Sequence, residues 1–418
     1  MTRPHRVAVT GLGMVSPFGG STQDFFTRML AGESAVALYE TDDAPRGLSV
    51  PAVRCADFDP AERVPKHLLG TMDRYTQLGM AAALEAWAHA GLTPGAHEES
   101  DDAGVAWGSA LGGTLAYEKG YRDLWQNGLE RISPLSVVQG MNNAASAQIG
   151  IALGLGNSCL TYTVACASAA AAIGEAFSRI RHGDAKIMLT GGSDAPLAYA
   201  VVRAWEAMRV MATGDAETAY RACRPFHADR RGLVLAEGAA ALVLEDWDHA
   251  VARGAPILAE MVGYGASCDH NHLVRPDERG QVRALRQALD QAGLAPEDIG
   301  YVNAHGTATR EGDPTEIQAL KTVFGAHAEH LPVSATKSMH GHVMGATGAI
   351  EALITVLALQ QDAIPPTAHL DHVDPACAGV RHMIQAEHGA GLQAALCSSF
   401  AFGGSNAVLA FKASPAPR

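Results

Sequence analysis

Tyr162-Thr163-Val164-Ala165-Cys166-Ala167-Ser168-Ala169-Ala170-Ala171 decides how this chain is read, because a β-branched run stops there and a long segment of small residues begins. β-branched side chains suit a strand and alanines a helix. From Ala172 through Gly174, Glu175 and Phe177 to Arg181 there are few strand formers, and His182-Gly183 has the form of a basic last turn followed by a C-cap glycine. Cys166 is therefore expected at the start of a helix that follows a strand. Unpaired backbone N–H groups and the positive end of the helix dipole lower a thiol pKa at such a place, so a nucleophilic thiolate is expected. A single cysteine is more often a small buried hydrophobe, and other residues have to decide between the two readings.

Two further motifs do so. Tyr301-Val302-Asn303-Ala304-His305-Gly306-Thr307-Ala308-Thr309 is a short strand running into His-Gly-Thr. Val333-Ser334-Ala335-Thr336-Lys337-Ser338-Met339-His340-Gly341-His342 is another strand, ending in a lysine and two histidines before a glycine-rich helix. A thiol and imidazoles set at strand ends are what loops at one end of a sheet assemble into a site. Strand-like and helix-like segments alternate elsewhere, as in a layered α/β architecture. Residues 72–89 have helical spacing and end near Gly91, residues 187–190 and 240–244 read as buried strands, and residues 281–292 form a helix ending near Gly293. Asp313-Pro314-Thr315-Glu316 gives an acidic N-cap, proline at the first helical position and glutamate at the third. A boundary near residue 253 separates residues 1–253 from 254–418, each with its own alternation. Residues 40–48, 98–102 and the tail after Lys412 are expected to be least ordered.

A chain of 418 residues exceeds the roughly 250–300 at which one core stops growing, so two domains or a duplicated fold are expected. No apolar run approaches the roughly 20 residues of a membrane span, and the N-terminus enters a strand-like run instead of a signal peptide, which implies a cytoplasmic protein. The cysteines number 7, an odd count without a C-x-x-C pair, as free thiols in a reducing compartment would. A net charge of −13 argues against nucleic acid as a partner. Gly11-Leu12-Gly13-Met14-Val15-Ser16 imitates the start of a dinucleotide fingerprint, but serine replaces its third glycine. His340-Gly341-His342 and His270-Asn271-His272 lack zinc-ligand spacing, so no metal is expected.

In order and spacing these segments resemble the β-ketoacyl-acyl-carrier-protein synthases, the condensing enzymes of fatty acid and polyketide synthesis. The resemblance runs from Val7-Ala8-Val9-Thr10-Gly11-Leu12-Gly13 to Ser399-Phe400-Ala401-Phe402-Gly403-Gly404-Ser405-Asn406-Ala407, and includes Arg224-Pro225-Phe226 and Gly232-Leu233-Val234-Leu235-Ala236-Glu237-Gly238. It implies the α/β thiolase fold, two pseudo-twofold-related halves in a five-layered α-β-α-β-α sandwich. The first half would carry the nucleophilic cysteine, the second the two histidines and the lysine. The implied activity is that of an acyltransferase, decarboxylative Claisen condensation of malonyl-carrier protein with an acyl chain held on Cys166, extending fatty acyl or polyketide and polyene chains.

The same resemblance assigns roles. The backbone N–H groups of Cys166 and Phe402 would form an oxyanion hole, and His305 and His342 would donate hydrogen bonds to the malonyl thioester oxygen. Lys337 would fix the histidines together with Glu351, whose other reading is a carboxylate on a helix surface. Thr307 and Thr309 would hold the phosphopantetheine arm, Phe400 and Phe402 would belong to a gating loop, and Leu111 would line the far end of the acyl tunnel. An acidic carrier meeting an acidic chain requires a local basic patch, with Arg209, Arg63, Lys66, Arg74 and Arg203 as its candidates. No cofactor is implied beyond the carrier's phosphopantetheine. The implied partners are acyl carrier protein and a second subunit, either another copy or a chain-length-factor-like chain. The alternatives are the ketosynthase subunit of a type II polyketide heterodimer, a non-catalytic partner subunit, which typically lacks the cysteine, and a thiolase-fold enzyme using coenzyme A. Departures from the family pattern include Ala401 between the two phenylalanines where glycine is usual, His340 where threonine is common and Ala169 where glycine is frequent. Gly192-Ser193-Asp194-Ala195-Pro196 looks more like type II polyketide ketosynthases.

Overall fold

The structure is a computed structural model. It describes residues 4–42, 46–95 and 100–414, so residues 43–45, 98–99 and 415–418, parts of the three stretches read as least ordered, lie outside the described residues. The first half contributes strands β1 (Val7–Val15), β2 (Ala103–Gly108), β3 (Cys159–Tyr162), β4 (Ile187–Asp194) and β5 (Gly238–Asp246). The second contributes β6 (Ala259–Cys268), β7 (Tyr301–Asn303), β8 (Pro332–Ser334), β9 (Ala394–Phe400) and β10 (Ser405–Ala413). Their order is β8-β7-β9-β10-β6-β1-β5-β4-β2-β3, with the two-residue strand Arg381–His382 on the edge beside β8. Both halves thus run third, second, fourth, fifth, first. In both, the second strand pairs parallel with the third and fourth, and the fifth pairs antiparallel with the fourth and first. The two first strands meet antiparallel from Val7 opposite Met261 to Val9 opposite Ala259. This repeat of topology is the pseudo-twofold of the thiolase fold.

Five helices fill the layers: α1 (Arg74–His89), α2 (Ser168–His182), α3 (Glu278–Ala292), α4 (Gly312–Phe324) and α5 (Thr347–Gln361). α1 covers β1, β4 and β5 from outside, and α3 covers β6 and β10 with α4 beside it. α2 and α5 touch each other between the sheets, α2 against β2, β4, β6 and β10 and α5 against β5, β9 and β10. The result is the α-β-α-β-α sandwich. Of the two central helices, α5 is apolar nearly all round, as burial on both sides requires, and is buried continuously from Thr347 to Leu359, whereas α2 is buried through Ala176, Phe177 and Ile180 and carries its basic residues in its last turn. Asp73 caps α1 by accepting the Tyr75 N–H, and Gly183 ends α2 in the left-handed region at φ +82. Gly11 and Gly13, the false nucleotide motif, lie within β1 beneath α1. A Cβ at either would stand 2.2 Å from the carbonyl oxygen of Ala86 or Ala82, so these glycines serve close helix-on-sheet packing.

The same constraint holds where β2 passes under the start of α2, because a Cβ on Gly108 would sit 2.3 Å from the Ala169 backbone nitrogen. Gly108→Ala is expected to destabilise the fold by about 1–3 kcal/mol through overpacking against backbone that cannot yield. Urea unfolding midpoints read this directly, and an unchanged midpoint would show that α2 can shift.

Candidate active site

The turn between β3 and α2 is tight. Ala165 adopts φ +49, a left-handed conformation uncommon for a residue with a side chain. The Ser168 hydroxyl holds it, accepting the Val164 N–H at 2.9 Å and donating to the Ala165 carbonyl at 2.6 Å. Cys166 is thereby presented inward, only 6% exposed, where its own backbone N–H and that of Phe402 act on the sulfur to favour its charged form. The sequence-based expectation of a thiolate is overturned. Burial raises the thiol to about 11 and outweighs the charge of Lys337 and the two N–H groups, all of which act to lower it.

The second half supplies the bases. His305 follows β7, and the Glu316 carboxylate of α4 accepts the N–H groups of His305 and Gly306, both at 2.7 Å. Asp313 accepts the N–H groups of Thr307 at 3.1 Å and Phe226 at 2.8 Å. These two acids were read as helix-start signals, but α4 begins at Gly312 without a side-chain cap. Their carboxylates hold the loop that carries His305. Burial pushes Glu316 up to about 7 and Asp313 up to about 6.

Lys337 is fully buried. Its amine donates to the Glu351 carboxylate and the His305 carbonyl, and lies 3.3 Å from His305 Nδ1. Glu351 is fully buried as well, which removes the helix-surface reading; burial raises it to about 8 against the pull of Lys337. His342 places Nε2 3.1 Å from Cys166 Sγ and Nδ1 2.8 Å from the Thr347 hydroxyl. The His305 and His342 rings meet edge to face at 5.6 Å. Both are held well below the ordinary imidazole value, by burial first and Lys337 second, so both are neutral at physiological pH. The cysteine sulfur and a nitrogen of each ring lie within 4.8 Å of one another.

A cavity of about 570 Å³ leads to these groups, lined on its way by Thr307, Thr309, Phe400 and Phe402. The hydroxyls of Thr307 and Thr309 stand 3.0 Å apart. Phe402 stacks on Trp205 with centroids 5.9 Å apart and planes inclined by 22°. Gly403 and Gly404, at φ +84 and +77, take the left-handed turns that follow Phe402, whereas Ala401 stays out of that region. The methyl at position 401 is therefore unstrained in this conformation. Leu111 is not among the residues lining this cavity. It packs instead on the apolar cluster of Leu197, Val202 and Met344, its N–H donating to Asp194 at 3.2 Å.

The basic candidates divide sharply. Arg63 pairs with Glu85 at 2.6 Å, Arg74 with Glu237 at 2.8 Å and Arg203 with Glu206 at 2.7 Å, each also donating to backbone carbonyls. They brace the fold. Lys66 is exposed but lies away from the cavity lining. Arg209 is exposed at the mouth, in the company of Arg231, Arg275 and Arg310. Arg275 faces Glu311 at 3.8 Å. Arg231, Arg310, Trp205 and Thr347 were not singled out from the sequence, and Glu316 was read only as a helix-start signal; Arg231 and Arg310 adjoin recognised motifs, and Thr347 stands five positions after His342.

Comparison with known proteins agrees with the geometry. A family model described as "Beta-ketoacyl synthase, N-terminal domain" matches residues 5–250, and "Beta-ketoacyl synthase, C-terminal domain" matches residues 258–371. Nodulation protein E of Rhizobium sp. (strain N33) is 41% identical over 408 residues, 97% of this chain and 99% of that protein. The 3-oxoacyl-[acyl-carrier-protein] synthase 2 of Staphylococcus aureus (strain COL) is 38% identical over 416 residues, 99% of each chain. Among solved structures, the ishigamide ketosynthase/chain length factor aligns with a TM-score of 0.90 at 31% identity, covering 99% of this chain and 100% of the other. A type II PKS acyl-carrier protein in complex with its ketosynthase bound to the hexaketide aligns with a TM-score of 0.89 at 29% identity, again over 99% and 100%.

The raised thiol yields a pH test. Because the thiolate is the form that alkylates, the rate of Cys166 modification by iodoacetamide, wherever it rises with pH, is expected to go on rising to pH 10 without levelling, as for any group titrating above that range. A rise that levels off by pH 8 would mean that the helix start prevails over burial.

Proposed function

We propose that this chain, which belongs to the β-ketoacyl synthase family and is an acyltransferase of the condensing kind, joins a malonyl unit to an acyl chain parked on Cys166. The observation that carries the reading is the convergence of one thiol, two neutral imidazoles and two inward N–H groups at the end of a cavity with a basic mouth.

Decarboxylating a malonyl thioester supplies the carbanion equivalent that carbon–carbon bond formation needs, and holding the acyl group covalently frees the cavity for the second substrate. In the first step Cys166 Sγ attacks the carrier thioester, and the N–H groups of Cys166 and Phe402 receive the oxyanion, a contribution of about 2.7–4 kcal/mol per donor. In the second, malonyl-carrier protein enters and its thioester oxygen takes charge as carbon dioxide leaves. Lys337 has only donors to offer, so at 3.3 Å it makes His305 Nδ1 the acceptor and leaves the ring proton on Nε2, free for that oxygen. Thr307 and Thr309 stand where the phosphopantetheine amides would pass. This chemistry calls for no resident cofactor or metal, because the carrier brings the pantetheine.

Arg209 at the mouth, reinforced by Arg231 and Arg310, is assigned to the acidic carrier, in place of a patch on Arg63, Arg74 or Arg203. For the second subunit, β3 offers an outer sheet edge that carries exposed Leu160, and the chain before it exposes Ile151 and Val137, a face for another thiolase-fold chain. That chain is a second copy or a chain-length-factor-like subunit. The full Cys-His-His set makes this chain the catalytic member in either case. The likeness to Nodulation protein E and to ketosynthase/chain length factor pairs, with the Ser193-Asp194-Ala195-Pro196 segment, favours specialised acyl or polyketide chains over housekeeping fatty acids. Among the described residues no helix is long and apolar enough to cross a membrane, and all seven cysteines are free; we assign the chain to the cytoplasm.

Intact-mass spectrometry with malonyl- and acyl-carrier proteins tests the reading. Wild type should acylate at Cys166 and release extended product, and Cys166→Ala should do neither while still releasing carbon dioxide from malonyl-carrier protein. Extension by Cys166→Ala would exclude the covalent route. Arg209→Glu is expected to raise KM for carrier-bound substrates about tenfold with kcat little changed, as loss of docking without loss of chemistry requires; an unchanged KM would remove Arg209 from the docking surface.

A further inference from the structure

Thr347, in the first turn of α5, is the partner of His342 Nδ1, and its hydroxyl faces two groups at once. It lies 2.8 Å from Nδ1 and 3.0 Å from the Met344 carbonyl. A carbonyl can only accept, and a hydroxyl has one proton. With that proton directed to Met344, Nδ1 must be the donor, so the ring proton sits on Nδ1 and Nε2 is a bare lone pair. That lone pair is the atom 3.1 Å from Cys166 Sγ. The arrangement is built into the backbone. Met344 holds the left-handed φ of +47 that begins this turn, and the next residue, Gly345, donates its N–H at 2.7 Å to the fully buried Asp194.

We propose that Thr347 is a positioning residue that sets the His342 tautomer, making Nε2 the acceptor of the Cys166 proton during acyl transfer. This rests on the condensing reading above. The step balances within the site. The Sγ–H proton passes to His342 Nε2 as Sγ bonds to the thioester carbonyl carbon. The bond between that carbon and the pantetheine sulfur then breaks, and the imidazolium returns the proton from Nε2 to the departing pantetheine thiolate. While the ring is positive, its Nδ1–H remains paired with Thr347, which is what a buried imidazolium lacks most.

A corollary concerns the second step. The hydrogen bond that His342 is expected to donate to the malonyl oxygen is not available from this tautomer. His305, whose Nδ1 accepts from Lys337 and whose ring proton is on Nε2, is left to donate to that oxygen.

Thr347→Val keeps shape and burial but removes the hydroxyl, and Thr347→Ser restores it. Two rates are compared in the full-length protein: iodoacetamide alkylation of Cys166 at pH 8, which needs no carrier, and carbon dioxide release from malonyl-carrier protein in a Cys166→Ala background. Thr347→Val is expected to slow alkylation about tenfold, the scale on which an oriented base contributes, with carbon dioxide release undiminished. Thr347→Ser should bring alkylation back to within about twofold of wild type. Alkylation unchanged by Val, a parallel fall in both rates, or no recovery with Ser would each overturn the proposal. Should wild type prove to extend no acyl chain, the alkylation comparison still reads the thiol and imidazole pair, so failure of the condensing reading and failure of this proposal stay distinguishable.

Discussion

The site depends on a lysine amine that has no access to water. Lys337 is enclosed on all sides and holds its place through Glu351, the His305 carbonyl and His305 Nδ1. A buried cation is costly unless paired and hydrogen-bonded, and here both conditions are met by residues from the loop after β7 and from α5. The consequence is electrostatic as well as geometric. Lys337 is the second cause, after burial, that depresses both catalytic imidazoles, and the first charge that opposes the rise of the Cys166 thiol. One group thus biases three others toward the states acyl transfer needs: two neutral rings and a thiol that can still be ionised.

At Cys166 two familiar effects compete and the less familiar outcome prevails. A helix start favours the thiolate, and the sequence makes that start plain. Desolvation disfavours it, and desolvation depends on what closes over the sulfur, namely the Phe400–Gly404 loop more than two hundred residues away in sequence and two loops from the opposite half. Local sequence predicts a helix terminus; it does not predict a lid. The thiol is therefore held in its neutral form, with an imidazole nitrogen 3.1 Å from its sulfur.

The legible and illegible parts of this chain separate along the same line. α2 and its end at Gly183, the strands around Ile187 and Ala240, and α3 followed by Gly293 were all visible, because each rests on spacing and caps within a dozen residues. The duplicated topology was not visible from the residues themselves, because β2 and β7 share an arrangement of partners and no sequence. Asp313 and Glu316 had the right residue types in the right order for a helix start, yet their carboxylates reach back across the turn to the His305 loop. A capping box and a loop brace draw on the same residues, and only the three-dimensional path of residues 305–309 tells them apart. The arginines are alike in sequence and differ in setting: Arg63, Arg74 and Arg203 pair with carboxylates within the fold, whereas Arg209 is exposed beside the cavity.

Duplication also explains where the two reacting partners sit. Cys166 lies between β3 and α2, and His342 lies between β8 and α5. These are the third strand and the central helix of each half, equivalent positions in one repeated topology. Because α2 and α5 pack against each other in the middle layer, the two turns that precede them face each other with no further device needed to bring sulfur and nitrogen together. The halves then differ in what each turn holds. In the first, Ser168 ties a left-handed Ala165 and aims a thiol; in the second, Thr347 follows a left-handed Met344 and aims a ring. A hydroxyl beside a strained turn at the head of a central helix is the shared local device, and the pairing of a thiol with an imidazole arises from what the two copies of that turn carry.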